Sequence, residues 1–468
     1  MDEETNELHD KIGIFLIESI EILEKDTDLN QIPNHGYYTV TIDKVTHKIV
    51  KKNSPNWYQL KLPKKLLKLD SHKKAVQASI EHSILRDHQG KFSYAFGNGA
   101  QFNIGNVPTD FLIRIIAKAN KLNFDSDTFK TLFDDFLKYV DPKREDYSRI
   151  IVPFDNFLIS KNQMEIENGF RIRMLTNEQL VDLINNNSIL NSFYGSLGHS
   201  WFKCVMEIDL PFKWFWCEDA NNSNLEQFVL QTRHPISFFD MDRSINQEII
   251  ILRTLYKYPI TAPTYSIDYR GWEKGGMAFP IQYLPWRRST FSMVDPVDIE
   301  KYQNYRKKML SINKKSQQRV FVAMRKLAYS LDKMSPGDQL VDTVSGLEGL
   351  VLGPSESEIS HKFAERVSLL LEDDPGRRIK LLSTMKDAYK LRSKVAHGTT
   401  ILDNFDIFTP EFKKNENIEG VSIKGIEQSQ QLRNITTDHL QTAILLCLDK
   451  QSTIFKWDEM IMGTTIKP

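Results

Sequence analysis

Three stretches within the first 145 residues space their apolar positions three and four apart. "NELHDKIGIFLIESIEIL" (6–23), "TDFLIRIIAKANK" (109–121) and "DTFKTLFDDFLKYV" (127–140) predict amphipathic helices, with Asp125 or Ser126 capping the last. Between them "GYYTVTIDKVTHKIVKK" (36–52) alternates apolar and polar residues as a strand does. The charged run "DPKREDYSR", with Pro142 inside it, marks a first boundary.

From about 146 to 300 the period shortens. "RIIVPFDNFLI", "MEIENGFRIRML", "FKCVMEIDLPFKWFWC" and "GMAFPIQYLPW" are short, rich in β-branched and aromatic residues, and separated by Gly, Asn or Pro. "TNEQLVDLINNN" interrupts them as a helix, with Thr176 and Gln179 in capping-box register, and "SINQEIIILRTLYKY" predicts a second helix.

After 300 the strand signal nearly vanishes. Five stretches, at 317–334, 338–353, 357–372, 376–397 and 425–450, keep helical spacing and are broken by Pro336, Pro354, Pro375 and Gly398. The expected fold is α+β. It has a mixed helical and strand region at 1–145, a strand-rich domain at 146–300 and an all-α helical bundle at 301–468.

Length agrees with several domains, since 468 residues exceed one ordinary core. Lys plus Arg and Asp plus Glu both number 61, so a polyanion site must be a local patch. Cys204, Cys217 and Cys447 lie far apart, which points to a reducing compartment without disulfides or structural zinc. The acidic N-terminus does not resemble a signal peptide, and no apolar run approaches membrane-spanning length. The expectation is a cytoplasmic protein with no membrane partner.

Several motifs fail on their chemistry. "FGNGAQFNIG" lacks the Lys-Ser/Thr of a phosphate loop and reads as a hairpin. "YGSLGHS" and the Asp240/Asp242 pair of "FFDMDRS" are too far apart for a two-metal transferase site. The aromatics of "KWFWC" read as packing, and the 11 histidines form no compact ligand set. No metal or other cofactor is expected.

Two features remain. Residues 306–326 carry eight cations and no acid, which reads either as a solvated helix face or as a phosphate track through Lys314, Lys315 and Arg319. The second is "AYKLRSKVAHG". Leu381, Met385, Ala388 and Val395 form one apolar stripe, and Arg392 falls within it, where a guanidinium requires an acid, an anion or a second subunit. His397 lies five residues on, about 140° around the axis, at the end of the helix before Gly398.

In this context the helical region resembles the HEPN superfamily, most closely its Apea-like domains from bacterial defence proteins. "GLEGLVLG", "SEISHKFAERVSLLLEDDPGRR" and "MKDAYKLRSKVAHG" are similar to that family's successive helices over roughly 315–450. "IIVPFDNF" through "GFRIRMLTNEQL" is similar to the segment that often precedes such domains.

The resemblance implies a metal-independent endoribonuclease of anti-phage type, in which a ribose 2′-hydroxyl attacks the adjacent phosphate. His397 would move protons, Arg392 would stabilise transition-state charge, and Ser393 would orient His397 or the phosphate. Glu348 and Arg366 match charged residues of inner HEPN helices and are expected to pair in support of the bundle, with Tyr389 beside them. Lys394 joins Lys314, Lys315 and Arg319 as RNA contacts. Thr399 stands where some HEPN toxins carry a modified tyrosine.

The implied partners are RNA, a second copy meeting the 338–397 helices, and a phage-derived trigger or regulatory partner for the preceding α+β portion. Two alternatives stay open: a non-catalytic HEPN module that binds RNA or a partner, and a purely structural dimerisation bundle.

Overall fold

The computed structural model describes all residues except 1, 28–31, 44–45, 95–99, 142–143, 145, 156, 167–169, 187–202, 213–214, 218–237, 263, 270–271, 273–274, 281–296, 298, 334, 354–356, 399–422 and 463–468. The fold is α+β, in two compact units that are each discontinuous in sequence. One gathers Met1–Pro153, Glu165–Met241 and Thr264–Ile281; the other gathers Phe154–Met164, Asp242–Pro263 and Gln282–Pro468. The stretch 146–300 contributes to both, since most of its strands fall in the first unit while 154–164, 242–263 and 282–300 fall in the second. "YGSLGHS" and the polar segment after Gly398 lie outside the described residues.

In the first unit, α1 (Glu3–Asp26), α2 (Asp70–Glu81), α3 (Ser83–His88), α4 (Val107–Ala119) and α5 (Ser126–Val140) enclose an aromatic core. Phe15, Phe111, Phe133 and Phe136 are fully buried, and the Phe111 and Phe136 rings meet edge-on at 5.1 Å. Asp125, not Ser126, caps α5 by accepting from Thr128 N at 2.8 Å. Helix α2 gives no hydrophobic period in the sequence because its buried side is Ser71, Ala75, Ala78 and Ser79, all too small to mark one.

Strands β1 (Asn34–Asp43) and β2 (Thr46–Pro55) form an antiparallel hairpin. β3 (Phe92–Tyr94) and β4 (Ala100–Gln101) flank the glycine-rich segment as antiparallel strands, in keeping with the hairpin reading. The larger sheet uses β5 (Asp146–Phe154), β6 (Gln163–Glu165), β7 (Phe170–Met174), β8 (Cys204–Phe212), β10 (Thr264–Tyr269) and β11 (Gly275–Pro280), in the order β11-β10-β5-β8-β7-β6. The intervening strand β9 (Phe215–Cys217) pairs with β3, where Trp216 stacks on His88 at 4.3 Å.

Between β7 and β8, helix α6 (Asn177–Asn186) opens with the predicted capping box. Thr176 N donates to Gln179 Oε1 at 3.1 Å, and Gln179 N to Thr176 Oγ1 at 3.3 Å.

The second unit is helical. It holds most of α7 (Phe238–Tyr256), then α8 (Glu300–Ser311), α9 (Lys314–Ser330), α10 (Pro336–Val351), α11 (Ile359–Leu371), α12 (Pro375–Ala396), α13 (Ile423–Asp449) and the short α14 (Trp457–Ile461). Helix α10 is the centre, packing on α9, α11, α12 and α13. Its Leu340, Val344, Leu347 and Leu350 are all fully buried.

Close approach to α13 depends on Gly346, where an added Cβ would lie 2.7 Å from Leu440 Cδ2. Thr343 and Thr436 hydroxyls join the same two helices at 2.9 Å in the core. Ser335 and Asp374 cap α10 and α12 directly before Pro336 and Pro375. No helix among the described residues is long and apolar enough to cross a membrane.

Candidate functional site

Helix α12 starts at a side-chain cap and stops at a glycine. His397 is the C-cap residue, its N–H donating to Ser393 O at 3.0 Å. Gly398 follows at φ +68, the left-handed conformation that ends helices. His397 is thereby held exposed at the helix end.

The apolar stripe is narrower than its sequence suggests. Met385 and Ala388 are fully buried, whereas Leu381 and Val395 are only partly covered. Arg392 lies half-buried between these positions, and its guanidinium finds an acid. Nη2 sits 2.9 Å from Glu348 Oε2 and 3.3 Å from Ser345 Oγ, both on α10.

The Tyr389 ring approaches the guanidinium at 5.7 Å and also packs 5.3 Å from Phe363. Burial pushes the Tyr389 phenol up, and the Glu348 charge adds to that shift while Arg392 opposes it. Arg392 Nε is buried without a hydrogen-bond partner, so the guanidinium is only partly satisfied.

The expected pairing of Glu348 with Arg366 is therefore corrected. Arg366 donates instead to Val351 O at 3.0 Å and lies over the Trp457 ring at 5.3 Å. Arg319 acts in the same place, donating to Gly349 O at 3.0 Å and to Leu352 O. Both arginines satisfy carbonyls at the α10 C-terminus that have no intrahelical partner, which also places positive charge at the negative end of that helix. Arg319 is accordingly a capping residue, with Nε and Nη2 turned onto carbonyls of its own chain.

Three more cations of the 306–326 run are engaged too. Arg306 pairs with Glu248 at 3.0 Å, Lys308 with Asp449 at 2.6 Å and Lys326 with Asp342 at 2.8 Å. Lys314 and Lys315 stay exposed at the start of α9.

The motif residues divide between two sides of α12. His397, Ser393, Lys394 and Tyr389 line an open groove of about 660 Å³ with Ser360, Lys386, Asp387 and Lys390. Arg392 engages α10 instead. The chain therefore offers an exposed imidazole beside hydroxyls and ammonium groups, with a guanidinium held nearby by a carboxylate.

Ser345, Lys386 and Lys390 are members of the site that the sequence motifs do not single out. Ser345 precedes Glu348 by one helical turn, and Lys386 and Lys390 precede Lys394 at steps of four, so helical spacing is the signal that could have found them. Among the described residues no group of three His, Cys, Asp or Glu side chains is placed to hold a metal ion. Cys204 and Cys447 are buried free thiols whose pKa values burial raises, so neither is an activated nucleophile. No family model matches the chain, and no curated protein or solved structure is significantly similar to it.

Proposed function

We propose that the helical unit is a HEPN-type endoribonuclease, with His397 and Arg392 as its reacting pair. The observation that carries this reading is the end of α12, where the C-cap residue His397 lines a groove and Arg392 lies within the same last turns, steered by Glu348. The resemblance of 315–450 to HEPN domains supplies the chemistry. The 2′-oxygen of a ribose bonds to the adjacent phosphorus as its proton passes to an imidazole. The P–O5′ bond breaks, and the departing oxygen takes a proton from the imidazole of a second copy, leaving a 2′,3′-cyclic phosphate. Arg392 stabilises charge on the phosphorane-like transition state, and Ser393 steers the phosphate or His397.

Such a site needs two copies. The partly exposed apolar residues of α12 and α11 supply a surface for pairing: Ile379 is 71% and Ile359 43% exposed, and Leu381, Leu382, Leu391 and Val395 are incompletely covered. A role in anti-phage defence, with the other unit sensing a phage-derived trigger, completes this reading.

The Glu348–Arg392 contact also favours a second reading. A neutralised guanidinium is what a structural ion pair requires, and the bundle would then bind RNA or a partner without cutting. Total RNA from cells expressing wild type, Arg392→Ala and His397→Ala, with and without phage, separates the two. Fragments ending in cyclic phosphate with wild type and in neither variant support cleavage. Intact RNA in every strain, together with equal phage protection, assigns the surface to binding.

A further inference from the structure

Helix α12 carries Lys386, Lys390 and Lys394 at successive steps of four, with His397 three residues further on. Each step of four advances about 40° around the axis and about 6 Å along it, so all four side chains share a sector of about 80°. All four line the groove, the lysines are exposed, and Asp387 is the one acidic residue of its lining. We propose that Lys386, Lys390 and Lys394 form a phosphate track that lays single-stranded RNA along α12 with its scissile linkage at His397. This inference rests on the ribonuclease reading and names how that site holds its substrate.

Three observations favour the track over an ordinary solvated helix face. Like charges four apart on a helix repel, and an anion along the stripe relieves that repulsion. The helix dipole accounts for a cation in the last turn, such as Lys394, but not for Lys386 and Lys390 two and three turns inside. Half of the other cationic run of this unit, Arg306, Lys308, Arg319 and Lys326, holds acids or carbonyls of its own chain, which thins that run as a competing phosphate surface.

A step of about 6 Å matches successive phosphates along one strand. An A-form duplex holds the 2′-oxygen out of line with the P–O5′ bond, whereas an unpaired strand can rotate into line, so single-stranded RNA is the occupant that the chemistry at His397 favours.

The test measures binding of a 2′-O-methylated single-stranded oligonucleotide, which cannot undergo 2′-hydroxyl attack, by fluorescence anisotropy from 50 to 200 mM salt. The full-length Lys386→Gln/Lys390→Gln/Lys394→Gln variant should bind about a hundred-fold more weakly near 0.1 M salt, with a salt slope reduced by about 2. Its thermal unfolding should equal or slightly exceed that of wild type, since the three side chains are exposed and their mutual repulsion is removed. Neutralising Lys307, Lys314 and Lys315 instead should have a smaller effect.

Unchanged affinity and slope in the first variant, or tighter binding of a duplex than of the single strand, overturns the proposal, as does a wild type that fails to bind. If the first variant binds and cleaves like wild type, the track falls and the ribonuclease reading stands. Lost binding in that variant, with no cleavage of unmodified RNA by any form, leaves the track standing and removes the ribonuclease reading.

Discussion

Arg392 Nη2 lies 2.9 Å from Glu348 Oε2, joining α12 to the central helix α10 across 44 residues of sequence. Both side chains are largely covered, at 26% and 18% exposure, so each would be left poorly solvated without the other. Glu348→Ala should destabilise the protein by about 1–3 kcal/mol, read by urea unfolding. Under the ribonuclease reading it should also lower cleavage, because Arg392 loses its anchor. A variant as stable as wild type would show that the contact contributes nothing to the bundle.

The two glycines of "GLEGL" should respond in opposite ways. A Cβ at Gly346 would meet Leu440 at 2.7 Å, whereas one at Gly349 would meet nothing within 4 Å. Gly346→Ala should cost about 1–3 kcal/mol through overpacking. Gly349→Ala should gain up to about 1 kcal/mol from helix propensity. Equal shifts in the two urea midpoints would contradict the packing described for α10 and α13.

Arg319→Ala should act on stability rather than on RNA. It leaves the Gly349 and Leu352 carbonyls at the end of α10 without their donor, a loss of about 1–2 kcal/mol. RNA affinity per folded molecule should stay at the wild-type value, and a specific loss of affinity at unchanged melting temperature would restore Arg319 to the binding surface.

Acid should weaken the first unit. Burial lowers the pKa values of His72, His82 and His88, and at His82 the nearby Glu4 and Asp2 carboxylates oppose the shift without reversing it. These rings stay neutral in the fold at a pH where the unfolded chain, titrating near about 6.5, takes up protons. Stability is therefore complete above about pH 6.5 and declines as the pH falls below it. Melting temperatures from pH 7.5 to 5.5 should fall accordingly, and His82→Asn should flatten the slope. A profile already flat in wild type would mean that these rings titrate as they do in the unfolded chain.

Short-range features are legible in the amino-acid sequence. Thr176 with Gln179, Asp125 at the start of α5, the prolines opening α10 and α12, and the His397–Gly398 stop all act within a few residues, where spacing along the chain is distance in space. The misfit of Arg392 in an apolar stripe is equally legible, because a helix sets which positions share a side.

What answers the misfit is not legible there. Glu348 belongs to another helix, and only the packing of α12 on α10 brings it within reach. The cationic run at 306–326 is thinned for the same reason, since the acids that take up Arg306, Lys308 and Lys326 are brought to them by the packing of the bundle. Strand β9 likewise pairs with β3 across residue 145, and 242–263 joins the helical unit, so the compact units cross the boundaries suggested by composition. Sequence alone determined the helices, their ends and the residues that break their pattern, because those depend on near neighbours. Tertiary structure decided which charges are spent inside the protein and which stay exposed at its surface, because that depends on which surfaces meet when distant segments pack.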